Sequence, residues 1–142
     1  MKQNPNARSA GGCFASPGLP GVFRAWISDD ATDAYDRVTG VGPWYTTHDQ
    51  LAFSTKTSLR HAPASELLNE AGGYTEGSEP TRAWSGSDSA GDATGDNCDG
   101  WTNATADATA TTGSALHADA NWGGGDEALH CDDKAQLLCF QE

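Results

Sequence analysis

Four cysteines, Cys13, Cys98, Cys131 and Cys139, constrain the fold of this chain more than any other feature of its sequence. None sits in a CxxC pair, which argues against a zinc ribbon or a thioredoxin-type redox site. An even number at wide spacing reads as two structural disulfides, and therefore as an oxidising compartment. Three pairings are open to four cysteines, and the sequence by itself selects none of them. Joining Cys13 to Cys139 would fasten the two ends of the chain together. Joining Cys98 to Cys131 would close a long loop that is poor in core residues. Closing either loop without strain contributes roughly 3–5 kcal/mol.

At 142 residues the chain is long enough for one domain with a true core. Its hydrophobic content is only 37%, so five tryptophans, four phenylalanines and three tyrosines must supply much of that core. Twenty acidic residues against eight basic ones give a net charge of −12. Nucleic acid and anionic membranes need a basic footprint and are excluded as partners on that ground. Cations, basic proteins and neutral glycans fit the charge. No stretch approaches the roughly 18 consecutive apolar residues of a membrane-spanning helix, so no membrane insertion is expected. The first residues, Met1-Lys2-Gln3-Asn4-Pro5-Asn6, lack the apolar run of a secretory signal. With the disulfides, this gives the expectation of a mature secreted or cell-surface form, or of one module of a longer chain.

Residues 1–12 read as a flexible leader and 13–142 as a single domain. The turn Gly18-Leu19-Pro20-Gly21 feeds a strand over Val22–Ser28, apolar on both faces and so expected to be central. Ser28–Val38 carries polar caps and acidic first-turn residues, predicting a short helix ended by Gly40. Pro43–Thr47 and Gln50–Phe53 read as two short strands or a hairpin about His48-Asp49. A helical turn is expected over Pro63–Ala71, stopped by Gly72-Gly73, and a strand over Thr81–Ser85. Residues 85–126 are mostly Ser, Gly, Asp, Ala, Thr and Asn. The Cys98, Trp101, Leu116 and Trp122 anchors within them point to long ordered loops. A terminal strand closes the chain over Gln136–Phe140.

Five blocks of this sequence, in order, resemble the endostatin family. They are Gly21-Val22-Phe23-Arg24-Ala25-Trp26-Ile27-Ser28, Ala83-Trp84-Ser85-Gly86-Ser87, Gly95-Asp96-Asn97-Cys98-Asp99-Gly100-Trp101-Thr102, Cys131, and Leu137-Leu138-Cys139-Phe140. The pattern is most similar to the bacterial endostatin-like secreted and surface proteins, and spans roughly residues 13–141. The resemblance implies an α+β, C-type-lectin-like fold with short mixed and antiparallel strands, one or two short helices, long loops and two nested disulfides. Carried over, these are Cys13–Cys139 and Cys98–Cys131. The arginine-rich heparin face and the N-terminal histidine zinc site of vertebrate endostatin have no counterpart residues here.

Asp88, Asp92, Asp96 and Asp99, beside Asn97, form the candidate cation site, because calcium takes six to eight oxygens from acidic glycine-rich loops. Their spacing is not that of an EF-hand. Glu79-Pro80-Thr81 departs from the sugar-binding motif of calcium-dependent lectins. His48, His61, His117 and His130 show no ligand spacing. Trp84 and Trp101 sit in blocks that read as core. Trp44, Tyr45 and Trp122 lie in less regular stretches and are the candidates for exposed ligand contact. No Gly-x-Ser-x-Gly elbow occurs, and no carboxylate pair stands out among the acids. The chain is therefore expected to be no enzyme but an extracellular recognition or adhesion module, binding a protein or glycan through loops in 85–126. A structural accessory domain of a larger secreted or surface protein is the alternative, and a secreted hydrolase a third.

Overall fold

The computed structural model describes residues 21–46, 48–67, 82–114, 118–125 and 127–142. In chain order the elements are β1 (Phe23–Ala25), α1 (Ala34–Arg37), β2 (Trp44–Tyr45) and β3 (Leu51–Phe53). A 3-10 turn (Lys56–Arg60), β4 (Arg82–Trp84), α2 (Cys98–Trp101) and β5 (Thr109–Ser114) follow. The chain ends with β6 (Ala128–His130), β7 (Gln136–Leu137) and β8 (Cys139–Gln141). The described fold is thus α+β and dominated by short strands. Strand β1 pairs antiparallel with β8, β2 with β3, and a four-stranded sheet has the order β6-β5-β4-β7. Within it β7 runs parallel to β4, while β5 is antiparallel to both its neighbours. No helix among the described residues is long and apolar enough to cross a membrane.

Several elements fall where the sequence places them, and others do not. The hairpin about His48-Asp49 forms as β2 and β3, and Thr81–Ser85 yields β4. The Val22–Ser28 strand is shorter than expected and not central among the described strands: β1 pairs only with β8, and Val22 is 64% exposed. After Ala25 the chain leaves the ladder and turns Trp26 inward, its amide bonding the Leu138 carbonyl at 2.8 Å. Most of the helix expected over Ser28–Val38 is a capped turn instead. The Asp29 carboxylate accepts from the Ala31 and Thr32 amides, and Ser28 Oγ accepts from the Ala34 amide, so only Ala34–Arg37 is helical. Such side-chain bonds compete with helical ones. The turn ends at Val38, whose backbone is extended, rather than at Gly40.

The helical turn expected over Pro63–Ala71 is absent from its described part, 63–67. Ala64 instead continues the pairing of β3 by donating to the Ala52 carbonyl. The helical turn lies upstream at Lys56–Arg60, started by reciprocal bonds between Thr55 and Ser58. Residues 68–71, the leader 1–12 and Cys13 lie outside the described residues. The terminal strand is interrupted at Leu138, which lets β7 join the four-stranded sheet while β8 joins β1.

The core is a cluster of large rings. Trp26, Trp44, Trp122, Phe53 and Phe140 are fully buried, with Leu59 and Val38 filling between them. Phe140 meets Trp26, Trp44, Phe53 and Trp122 at centroid distances of 5.6–5.8 Å. The closest pairs are Phe53–Trp122 at 4.6 Å and Trp26–Trp122 at 4.8 Å. Each buried indole N–H donates to a backbone carbonyl: Trp26 to Gly123, Trp44 to Gln141 and Trp122 to His61. Gly91, at φ +85°, presses against this cluster; a Cβ there would sit 2.5 Å from the Trp26 ring. Phe140→Ala is expected to lower the unfolding free energy by about 3–5 kcal/mol in urea titrations. Val22→Ala on the exposed flank of β1 should change it by less than about 0.5 kcal/mol.

Candidate functional site

The segment leaving β4 is built from small hydroxyl residues because it runs through the interior. Ser28, Ser85, Ser87 and Thr112 are almost wholly buried. Ser28 Oγ and Ser87 Oγ lie 2.8 Å apart, Ser87 Oγ donates to the Ser85 carbonyl, and Ser85 Oγ donates to the Thr111 carbonyl. The Ser85 and Gly86 amides also reach the Thr111 carbonyl, and the Ser28 amide reaches that of Ser85. A buried hydroxyl without a partner costs free energy, and here each has one. This network ties the start of the α1 region to the ends of β4 and β5.

From this anchor the acidic loop runs outward, each aspartate occupied by its own bond. Asp88 Oδ1 accepts from the Ala90 and Asp92 amides. Asp92 takes both guanidinium nitrogens of Arg60, at 3.0 and 3.3 Å. That guanidinium lies over the Tyr35 ring at 4.0 Å, with Lys56 Nζ over it at 4.7 Å. Asp96 accepts from the Thr109 hydroxyl at 2.6 Å, and Asp99 from the Asn103 side chain at 2.8 Å. Asp88, Asp92, Asp96 and Asp99 are therefore not gathered as the calcium reading requires. Among the described residues no three His, Cys, Asp or Glu side chains form a metal-holding group. The alternation of aspartate with glycine and alanine serves turns and ion pairs here. Of the histidines, His48, His61 and His130 are exposed, and His117 lies outside the described residues.

The first acidic segment docks against this second one. Asp33 Oδ1 accepts from the Ala93 amide and the Tyr35 amide donates to the Gly91 carbonyl, while Asp30 accepts from Asn97 Nδ2 at 2.7 Å. Asn97 in turn accepts from the Gly100 amide. The Cys98–Trp101 segment is a left-handed turn. Cys98, Asp99, Gly100 and Trp101 have φ of 54°, 53°, 65° and 64°. Each non-glycine residue so placed costs roughly 1–2 kcal/mol. Three bonds oppose that cost. The Cys98–Cys131 disulfide spans 33 residues, the Trp101 amide donates to the Asn97 carbonyl, and Trp101 Nε1 donates to the Ser28 carbonyl at 2.8 Å.

The tryptophans divide differently from the sequence expectation. Trp44 and Trp122, expected to be exposed, are fully buried, and Tyr45 is half-buried. Irregular backbone around them reflects how the core is reached, since the β2–β3 hairpin and the 118–125 turns bring their rings inward. Trp84 and Trp101, expected in the core, are both half-buried and pack edge to face, centroids 6.1 Å apart at 68°. The Asp99-Gly100 dipeptide is the sequence signal for this placement, because it marks a turn and so sets Trp101 on a loop. Trp84 carried no comparable signal.

Compared with protein-family models and with curated proteins, the chain matches none of them.

The Asp29 carboxylate is held below its ordinary range first by the Ala31 amide; burial opposes this, and Arg37 and the Thr32 amide lower it further. A depressed folded-state value contributes stability that is present above the unfolded value of roughly 4 and lost as pH falls through the folded one. Asp29→Asn is thus expected to be less stable than the parent at pH 7, with the difference shrinking in melts below about pH 4. Replacing Cys98 and Cys131 together by alanine is expected to cost about 3–4 kcal/mol by denaturant titration. The same change should speed amide exchange at Gly100 and Trp101.

Proposed function

We propose that the chain is an extracellular, non-catalytic recognition module of the endostatin-like, C-type-lectin-like kind, binding a protein or glycan through its loop-rich face. In this reading Cys13 and Cys139 form a second disulfide that encloses the first, and the protein works secreted or at a cell surface. The observation that carries the proposal is the loop between β4 and β5. It is long and acidic, yet fastened at short intervals by side-chain bonds and by Cys98–Cys131. A loop ordered before it meets a partner loses less entropy on binding, which is the usual advantage of a rigid scaffold presenting irregular loops. The disulfide agrees with an oxidising compartment.

The test is direct. The protein, immobilised on a biosensor, is presented with extracellular-matrix proteins and, in parallel, its labelled form is applied to a glycan array. Saturable binding is expected to at least one, weakened in the Cys98→Ala/Cys131→Ala variant while the parent remains folded by circular dichroism. Absence of saturable binding on both panels would overturn the recognition reading.

A further inference from the structure

We propose that the Trp84–Trp101 pair is a docking site for a cationic side chain, arginine or lysine, presented by a basic protein segment. This rests on the recognition reading and names the surface and the partner chemistry. Trp84 on β4 stands in register with Thr112 on β5 and with Leu137 on β7, so the three share one face of the sheet. Thr112 is the buried floor, while Leu137 is 42% exposed and Trp84 half-buried. Trp101 packs against Trp84 at 68° and makes a second aromatic wall. A corner of two indoles suits a compact cation, which is drawn to the negative ring faces. A pyranose, by contrast, stacks best on one open plane.

The indole N–H groups separate the five tryptophans. Trp26, Trp44, Trp101 and Trp122 each donate to a backbone carbonyl. Trp84 has no such acceptor among the described residues, which leaves its N–H for the carbonyl of a bound peptide.

Charge selects the partner. Exposed Asp99 lies in the same turn as Trp101, and exposed Asp30 bonds Asn97. Asn97 and the Trp101 ring both crowd Gly86, at 3.2 and 3.0 Å from a Cβ built there, so Asp30 is held beside the pair. Exposed Asp132 and Asp133 follow Cys131, which the disulfide fixes to Cys98. Arg82, on the same face of β4 as Trp84, is paired with Glu127 at 3.0 Å. A net charge of −12 repels sulfated glycans and nucleic acid and concentrates cations at the surface. The chain already uses this chemistry internally, where Lys56 and Arg60 cover Tyr35.

The experiment titrates the full 15N-labelled chain with an arginine–serine peptide, with the same peptide carrying neutral citrulline, and with cellohexaose. Saturable shifts are expected in the Trp84 and Trp101 indole signals on adding the arginine peptide, with those of Trp26, Trp44 and Trp122 unmoved. The citrulline peptide should bind about tenfold more weakly. Trp84→Leu should weaken the arginine peptide about five- to tenfold, and Trp84→Phe less. If Trp84→Leu does not fold, the indole shifts of the parent decide alone. Peptide binding that leaves both indoles unmoved, or that Trp84→Leu leaves intact, would overturn the inference. Preferential binding of cellohexaose at the pair would also overturn it, while leaving the recognition reading standing. Failure of all three probes ends this inference only, since the recognition reading stands or falls on the matrix and glycan panels.

Discussion

Phe140 contacts four other buried rings, and the separate pieces of this structure meet through it. Strand β8 delivers Phe140, β1 leads into Trp26, the β2–β3 hairpin supplies Trp44 and Phe53, and the 118–125 turns supply Trp122. A chain with 37% hydrophobic residues has few apolar side chains to spend. Large rings compensate, since each buries on the order of 150–250 Å². Their indole N–H groups end on the carbonyls of Gly123, Gln141 and His61, all in loops or at a strand edge. The core therefore orders the loops, and the loops satisfy the core.

The strands are too short to hold the fold by their ladders alone: β2 and β7 have two residues each. Side-chain bonds take over where ladders stop. The Ser28–Ser87–Ser85–Thr111 chain joins three segments distant in sequence, and Thr39 and Glu142 close the C-terminal end against the exit of α1. This explains how residues 85–114, mostly small and polar, are held in a defined arrangement. Their aspartates and serines serve as caps and ion-pair partners, not merely as solvated surface.

The sequence is legible where large residues repeat with a clear period or where turn dipeptides punctuate it. The β2–β3 hairpin and β4 belong to that class. It fails where structure rests on small residues. Thr109–Ser114 forms the longest strand among the described residues and pairs on both edges, yet Thr-Ala-Thr-Thr-Gly-Ser offers no hydrophobic alternation to betray it. Gly113 within it admits the turn at Trp122–Gly124 so closely that a Cβ would strike backbone, a contact no local pattern encodes. The caps of Ser28–Asp33 were legible as helix-starting residues, but the same side chains stabilise a turn equally well, and tertiary bonds decide between them. Tryptophan exposure failed for a related reason: it depends on which sheet face or loop meets the core, and periodicity does not report that.

Two costs converge on one side of the molecule. Acidic segments 29–36 and 88–99 dock on each other, concentrating like charge. That repulsion is only partly offset by the Arg37–Asp29 and Arg60–Asp92 pairs, which at their exposure are worth about 0–1 kcal/mol each. Beside them the Cys98–Trp101 turn holds three non-glycine residues at positive φ. Neither feature improves the core, and a right-handed turn bearing neutral residues would fold at lower cost. What the arrangement does achieve is to fix Trp101 against Trp84, with Asp99 exposed in the same turn. Strain of this kind, kept next to half-buried aromatics, persists because the Cys98–Cys131 disulfide and the bonds of Trp101 to the Asn97 and Ser28 carbonyls over-determine the turn.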